Sequence, residues 1–115
     1  MIDLTGRRVV VTGAATGIGR SYARALGDAG ASVAIIDLAD PEPVVRDLAE
    51  RGIDVVGHRC SVTDRPAIAQ AFHSIADRFG GIDALVNNAA LFSALIPQPF
   101  EKIRDDEWDR VLTVN

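Results

Sequence analysis

Three glycines, Gly13, Gly17 and Gly19, follow a run of three valines, Val9 to Val11, and lead into a segment of helical periodicity. Gly13 and Gly17 can take positive φ, and Gly19 lets a helix lie close to a strand or a ligand. The first turn of a helix carries unpaired N–H donors at the positive end of its dipole. Strand, glycine loop and helix in that order therefore make a cradle for a pyrophosphate, with no side-chain cation needed. The spacing Gly-x-x-x-Gly-x-Gly differs from the dinucleotide fingerprint Gly-x-Gly-x-x-Gly, and it lacks the Gly-Lys-Ser/Thr ending of a Walker loop. The glycines alone fit a ligand-free strand-to-helix turn equally well.

Asp37 shifts that balance. It closes a second buried-strand pattern, Ser32 to Asp37, eighteen residues beyond Gly19. That is close to the ~20-residue offset at which a carboxylate accepts hydrogen bonds from an adenosine ribose. The same carboxylate would repel a 2′-phosphate. Leu38 follows it and Thr16 precedes Gly17, so neither position offers a base to neutralise one. NAD is therefore expected in preference to NADP. The competing reading is a solvated Asp that opens the loop Ala39-Asp40-Pro41.

Other reactive side chains are poorly placed for chemistry. Cys60 and His58 lie two apart on one strand and share a face, but no third group orients them, and a small buried thiol is the commoner situation. With His73 they show no metal-ligand spacing, and no metal site is expected. Tyr22 falls on the apolar stripe of the first helix and is expected to pack in the core. The lone cysteine excludes an internal disulfide and fits a reducing, cytoplasmic setting. A net charge of −4, with both signs spread along the chain, argues against nucleic acid and membrane surfaces as partners. Asn87 and Asn88 interrupt the best apolar segment, which falls short of the roughly 20 residues of a membrane helix. Arg7-Arg8 does not open a signal peptide, because the apolar run after it ends at Thr12.

The elements that must position these groups alternate. Ile18, Tyr22, Leu26 and Ala29 form the apolar stripe of a first helix that stops at Gly30. Pro41 and Pro43 start a second helix with Val44, Val45, Leu48 and Ala49 on one face, and Gly52 ends it. A third strand runs from Asp54 to Cys60. Thr63 or Asp64 then caps a helix carrying Ile68, Ala71, Phe72, Ile75 and Phe79 before Gly80-Gly81. A fourth strand, Ile82 to Ala90, runs into two amides and two small residues. An apolar loop with two prolines follows, and Asp105 or Asp106 caps a last helix carrying Trp108, Val111, Leu112 and Asn115. Phe92 and Leu95 in the loop either face an apolar substrate or pack on that helix.

Several motifs in this order resemble the short-chain dehydrogenase/reductase family: Thr12-Gly13-x-x-x-Gly17-Ile18-Gly19, Asp37 after the second strand, Ile82-Asp83, Asn87-Asn88-Ala89-Ala90 and Val114-Asn115. The match covers the whole chain. It implies an α/β, Rossmann-type doubly wound parallel sheet, of which residues 1–115 form the first half, with strand order 3-2-1-4, cut short in the helix after the fourth strand. It implies that Gly13, Thr16, Gly17, Ile18 and Gly19 hold the pyrophosphate of NAD and that Asp37 holds the adenosine ribose. Val62 would meet the adenine, and Ser61 stands where many members have an Asp. Asn88 and Ala89 would line the cofactor cleft, with Asn87 tying the central strands. Ala90 replaces the usual Gly. Asn115 matches a catalytic Asn that supports a proton-relay water.

The family's catalytic Ser and Tyr-x-x-x-Lys have no counterpart. Tyr22 and Lys102 are the only tyrosine and lysine, and they lie eighty residues apart. Two functions are compatible with this. The chain is a fragment of an NAD-dependent enzyme acting on a small alcohol or ketone, or it is a non-catalytic nucleotide-binding module or inactive remnant. In either case it is expected to be inactive alone and to self-associate through an uncovered fourth strand.

Overall fold

The computed structural model describes residues 1–115 throughout. Strands and helices alternate: β1 (Arg8–Thr12), α1 (Gly17–Asp28), β2 (Ser32–Asp37), α2 (Glu42–Glu50), β3 (Val55–Arg59), α3 (Arg65–Phe79), β4 (Ala84–Val86) and α4 (Asp105–Val114), with one 3-10 turn at Phe100–Lys102. The strands make one parallel sheet in the order β3-β2-β1-β4, as the motif order implies.

The two central strands are covered on both faces, which is why β1 and β2 read as unbroken apolar runs rather than alternating ones. Val9, Val11, Val33 and Ile35 pack with Val44 and Leu48 of α2 and Ala23 of α1. Val10, Ala34 and Ile36 pack on the opposite face with Ala71 and Ile75 of α3. Full burial of such a side chain is worth about 1.5–3 kcal/mol. Leu48 and Ile75, each wholly buried, therefore anchor the two helical layers. The α3 stripe is the one expected, its N-cap is Asp64, which accepts from Ala67 N at 3.0 Å, and Gly80 ends it at φ 79°.

Two local expectations need correction. The stripe expected to bury α1 is displaced: Gly19, Ala23 and Gly27 face the interior, while Ile18 is 66 % and Tyr22 47 % exposed. The helix lies too close for large side chains, since a Cβ on Gly27 would stand 2.6 Å from Ile53. Tyr22 instead lines an open apolar groove with Ile2, Leu4, Leu26 and Val86. At α4 the N-cap is Arg104, not an Asp; Asp105, Asp106 and Glu107 occupy the first turn. There they complement the helix dipole, and Asp106 pairs with Arg104 at 3.0 Å.

Beyond Val86 the chain leaves the ladder, so β4 is shorter than its sequence pattern. At the opposite end of the sheet, Arg8 joins β1 to the start of β4. Its Nε and Nη2 donate to Asp83 at 2.8 and 2.9 Å, and its Nη1 donates to Gly80 O at 2.8 Å. The Arg8 side-chain bonds to Asp83, with a further bond from Arg8 N, lower the Asp83 pKa from its ordinary 3.8 to about 2.

Candidate functional site

The C-terminal ends of the strands open onto a cleft of about 560 Å³, inside the roughly 300–1,000 Å³ typical of small-molecule sites. Gly13, Thr16, Gly17 and Ile18 line one side of it. Asp37 and Leu38 line the end of β2, and Ser61 and Val62 the turn after β3. Asn88, Ala89 and the following loop to Ser93 close the far side. Nine of the ten residues expected to hold a cofactor thus border one space. The tenth, Gly19, lies just behind it.

The glycine loop is built by two separate demands. Gly17 sits at φ 57° with open space where a Cβ would stand, so conformation alone selects glycine. Gly19 is selected by packing, since its Cβ would strike the Gly13 carbonyl and stand 2.5 Å from Asn88 Nδ2, and Gly13, at φ 68°, is selected by both, since its Cβ would lie 2.8 Å from Ala89 Cα. Thr16 has N-cap geometry but makes no side-chain cap, and the first backbone bond of the turn runs from Arg20 N to Thr16 O. The amides at the start of α1 thus remain available to an anion.

Thr12 ties the loop to the end of β4. Its Oγ1 accepts from Asn88 N at 3.1 Å and Ala89 N at 3.0 Å, and Asn88 Nδ2 donates to Gly13 O at 3.1 Å. Across the cleft both oxygens of Asp37 accept backbone amides, Oδ2 from Ala15 N at 2.8 Å and Oδ1 from Ala39 N at 2.9 Å. The carboxylate is thereby held at the mouth of the glycine loop. A cation-free amide cradle and an acidic group border the same cleft.

The family model for short chain dehydrogenases matches residues 7–115. The chain belongs to the short-chain dehydrogenase family. It is 38% identical over 112 residues to a sorbitol dehydrogenase of Cereibacter sphaeroides, covering 97% of this chain and 42% of that one. It is 35% identical over 117 residues to the 5-keto-D-gluconate 5-reductase of Escherichia coli K12, covering 100% and 45%. The crystal structure of a short-chain type dehydrogenase/reductase from Mycobacterium marinum superposes with a TM-score of 0.90 at 31% identity, over 98% of this chain and 45% of that one. The chain thus spans less than half the length of these relatives.

In this short-chain dehydrogenase chain, Asn115 reaches the loop after β4 rather than the cleft itself. Its Oδ1 accepts from Leu91 N at 2.7 Å and its Nδ2 donates to Leu91 O at 3.3 Å. Asn87 is exposed and makes no side-chain hydrogen bond, so the tie between strands expected of it falls to Thr12 and Asn88. Asn88 instead reaches the glycine loop, its Nδ2 lying against Gly13 and Gly19. The Ser61 hydroxyl is engaged with Thr63, by Oγ to Oγ1 at 2.7 Å and as acceptor from Thr63 N at 3.1 Å, and so builds the turn beneath the cleft.

His58 and Cys60 do border one shallow cavity, with Gln70 and Ser74. Burial, and then the nearby Asp64, push the Cys60 thiol up, away from a nucleophilic thiolate. In the loop, Leu95 lines a small apolar cavity with Ile103, Trp108 and Val111 of the last helical region, whereas Phe92 is 79 % exposed and borders both the cleft and the neighbouring loop cavity. Sequence reasoning placed Thr12 in the glycine motif but gave it no role, and the hydroxyl at the end of an otherwise apolar strand is the signal for one.

Proposed function

We propose that residues 1–115 form an NAD-binding domain, the cofactor half of a short-chain dehydrogenase that transfers hydride between NAD(H) and a small alcohol or ketone. One observation carries the reading: the free amides at the start of α1 and the Asp37 carboxylate border a single cleft. The pyrophosphate is held by the amides of the Gly13–Gly19 loop, with Thr16 and Ile18 at its rim. The ribose hydroxyls are held by Asp37, which excludes a 2′-phosphate by charge. Val62 contacts the adenine, and Ser61 shapes its turn. Asn88 and Ala89 border the nicotinamide end, and Phe92 stands beyond them at the substrate side. The bound cofactor supplies the hydride acceptor or donor.

Asn115 steadies Leu91 at the far wall and, by resemblance to the family, takes part in proton relay in the longer enzyme. The free Cys60 suits a reducing, cytoplasmic setting. A second reading is a binding module without catalysis; residues 1–115 contain no Tyr-x-x-x-Lys pair. Two experiments separate them. Calorimetry with NAD and NADP should give tighter binding of NAD, and no binding of either would overturn both readings. Sequencing the coding DNA beyond Asn115 should give a continuation into Ser and Tyr-x-x-x-Lys, and an immediate stop would favour the binding module.

A further inference from the structure

The end of β3 carries a side chain whose contact serves no packing purpose. Arg59 is exposed, and it is the register partner of Asp37 across the parallel pair β2–β3. Its Nε donates to the Leu38 carbonyl at 3.0 Å. One residue on, Cys60 N donates to the Asp37 carbonyl at 2.9 Å. Two successive carbonyls leaving β2 are therefore held by the last residue of β3 and the residue after it, the first by the Cys60 amide and the second by the Arg59 guanidinium. Leu38 is 68 % exposed and borders the cleft beside Asp37. Two other side-chain ties of this turn are local, Ala39 N to Asp37 Oδ1 and Glu42 N to Asp40 Oδ1, and a third runs to the glycine loop, Ala15 N to Asp37 Oδ2 at 2.8 Å. Arg59 alone anchors it by side chain to a neighbouring strand.

We propose that Arg59 is a positioning residue for the adenosine end of the cleft, fixing the Leu38 carbonyl so that Leu38 and Asp37 present a preformed wall to a purine nucleoside. This role rests on the cofactor reading above. A wall ordered before binding spares the ligand the cost of ordering it. The planar guanidinium suits the task because its fork loses less freedom per hydrogen bond than a lysine side chain. Arg59 touches no reacting atom.

The test compares the 115-residue chain with Arg59→Ala and Arg59→Lys, using AMP and 2′,5′-ADP in calorimetry and amide hydrogen exchange without ligand. In Arg59→Ala the amide of Ala39, which bonds Asp37 Oδ1, should exchange faster, and affinity for AMP should fall about two- to tenfold, the span of one net hydrogen bond. Arg59→Lys, which keeps a donor, should recover part of that loss. Unchanged exchange with unchanged AMP affinity would overturn the role. So would a loss confined to 2′,5′-ADP, which would make Arg59 a phosphate-binding cation. A wild-type chain that binds neither AMP nor NAD overturns the cofactor reading and this role together, whereas normal wild-type binding with an unaltered Arg59→Ala overturns this role alone.

Discussion

Thr12 Oγ1 accepts the backbone amide of Asn88 at 3.1 Å, and the same oxygen accepts Ala89 N at 3.0 Å. Residues 76 apart in the chain are thus joined through the hydroxyl of a residue that is 5 % exposed. That bond fixes the far wall of the cleft to the strand that launches the glycine loop. Replacing Thr12 by Val keeps the shape but strands both amides. An unsatisfied buried donor costs about 1–3 kcal/mol, so Thr12→Val should lower stability by about that amount, while Thr12→Ser should retain most of it. Urea denaturation of the three proteins measures the difference. Equal midpoints for wild type and Thr12→Val would show that the amides find other partners.

Asp37 tests the cofactor preference with a variant that leaves its geometry nearly intact. Asp37→Asn keeps one amide acceptor while removing the charge. Hydrogen bonds to charged groups are worth about 1.5–3 kcal/mol, so NAD affinity should drop at least about tenfold and the preference over NADP should narrow. Paired calorimetric titrations read this out. A preference that survives the substitution would place its origin elsewhere.

The ion pair at the other end of the sheet sets an acid limit. Because the folded Asp83 pKa is depressed from 3.8 to about 2, its stabilisation is fully present above the ordinary value and disappears as pH falls through about 2. Asp83→Asn should therefore be less stable than wild type at neutral pH, and the gap should close between about pH 4 and about pH 2. Denaturation midpoints at several pH values follow this. A gap independent of pH would mean that packing, not charge, is lost.

The open edge of β4 should make the chain self-associate. Leu85 is 44 % exposed on β4, an edge strand paired on one side with β1, and its neighbour Val86 borders the apolar groove of Ile2, Leu4 and Tyr22 on the other face of the sheet. Exposed edges of this kind template pairing with other chains, and charge suppresses it. Light scattering should show concentration-dependent growth that Leu85→Lys reduces. A strictly monomeric wild type over the accessible concentration range would count against the proposal.

The 115 residues alone should turn over no alcohol or ketone. A positioned general acid contributes roughly 10²- to 10⁴-fold, and the chain lacks a phenol beside an amine. Tyr22 borders the apolar groove on α1, and Lys102 lies in the 3-10 turn after the loop. NADH absorbance with a substrate panel checks this. Turnover abolished by Tyr22→Phe or Lys102→Ala would relocate the catalytic groups.

What the sequence determined was local. Buried parallel strands must be apolar throughout, so Val9–Val11 and Ser32–Asp37 were legible without coordinates. Asp64 and Gly80 mark the ends of α3 by capping chemistry that acts within a few residues. The ordered motifs then fixed strand order and the residues around the cleft. Tertiary structure decided what depends on approach between distant segments. The buried face of α1 is Gly19, Ala23 and Gly27 because the helix lies within touching distance of Ile53 and Gly13. Periodicity ranks large apolar residues first and cannot see that closeness. The same holds for Asn88 in place of Asn87, for Thr12 as the tie to β4, and for Arg59 on the Leu38 carbonyl. Each is a hydrogen bond across strands, and its partner is chosen by register and by the face a side chain takes at a strand's end. No spacing along the chain encodes that choice.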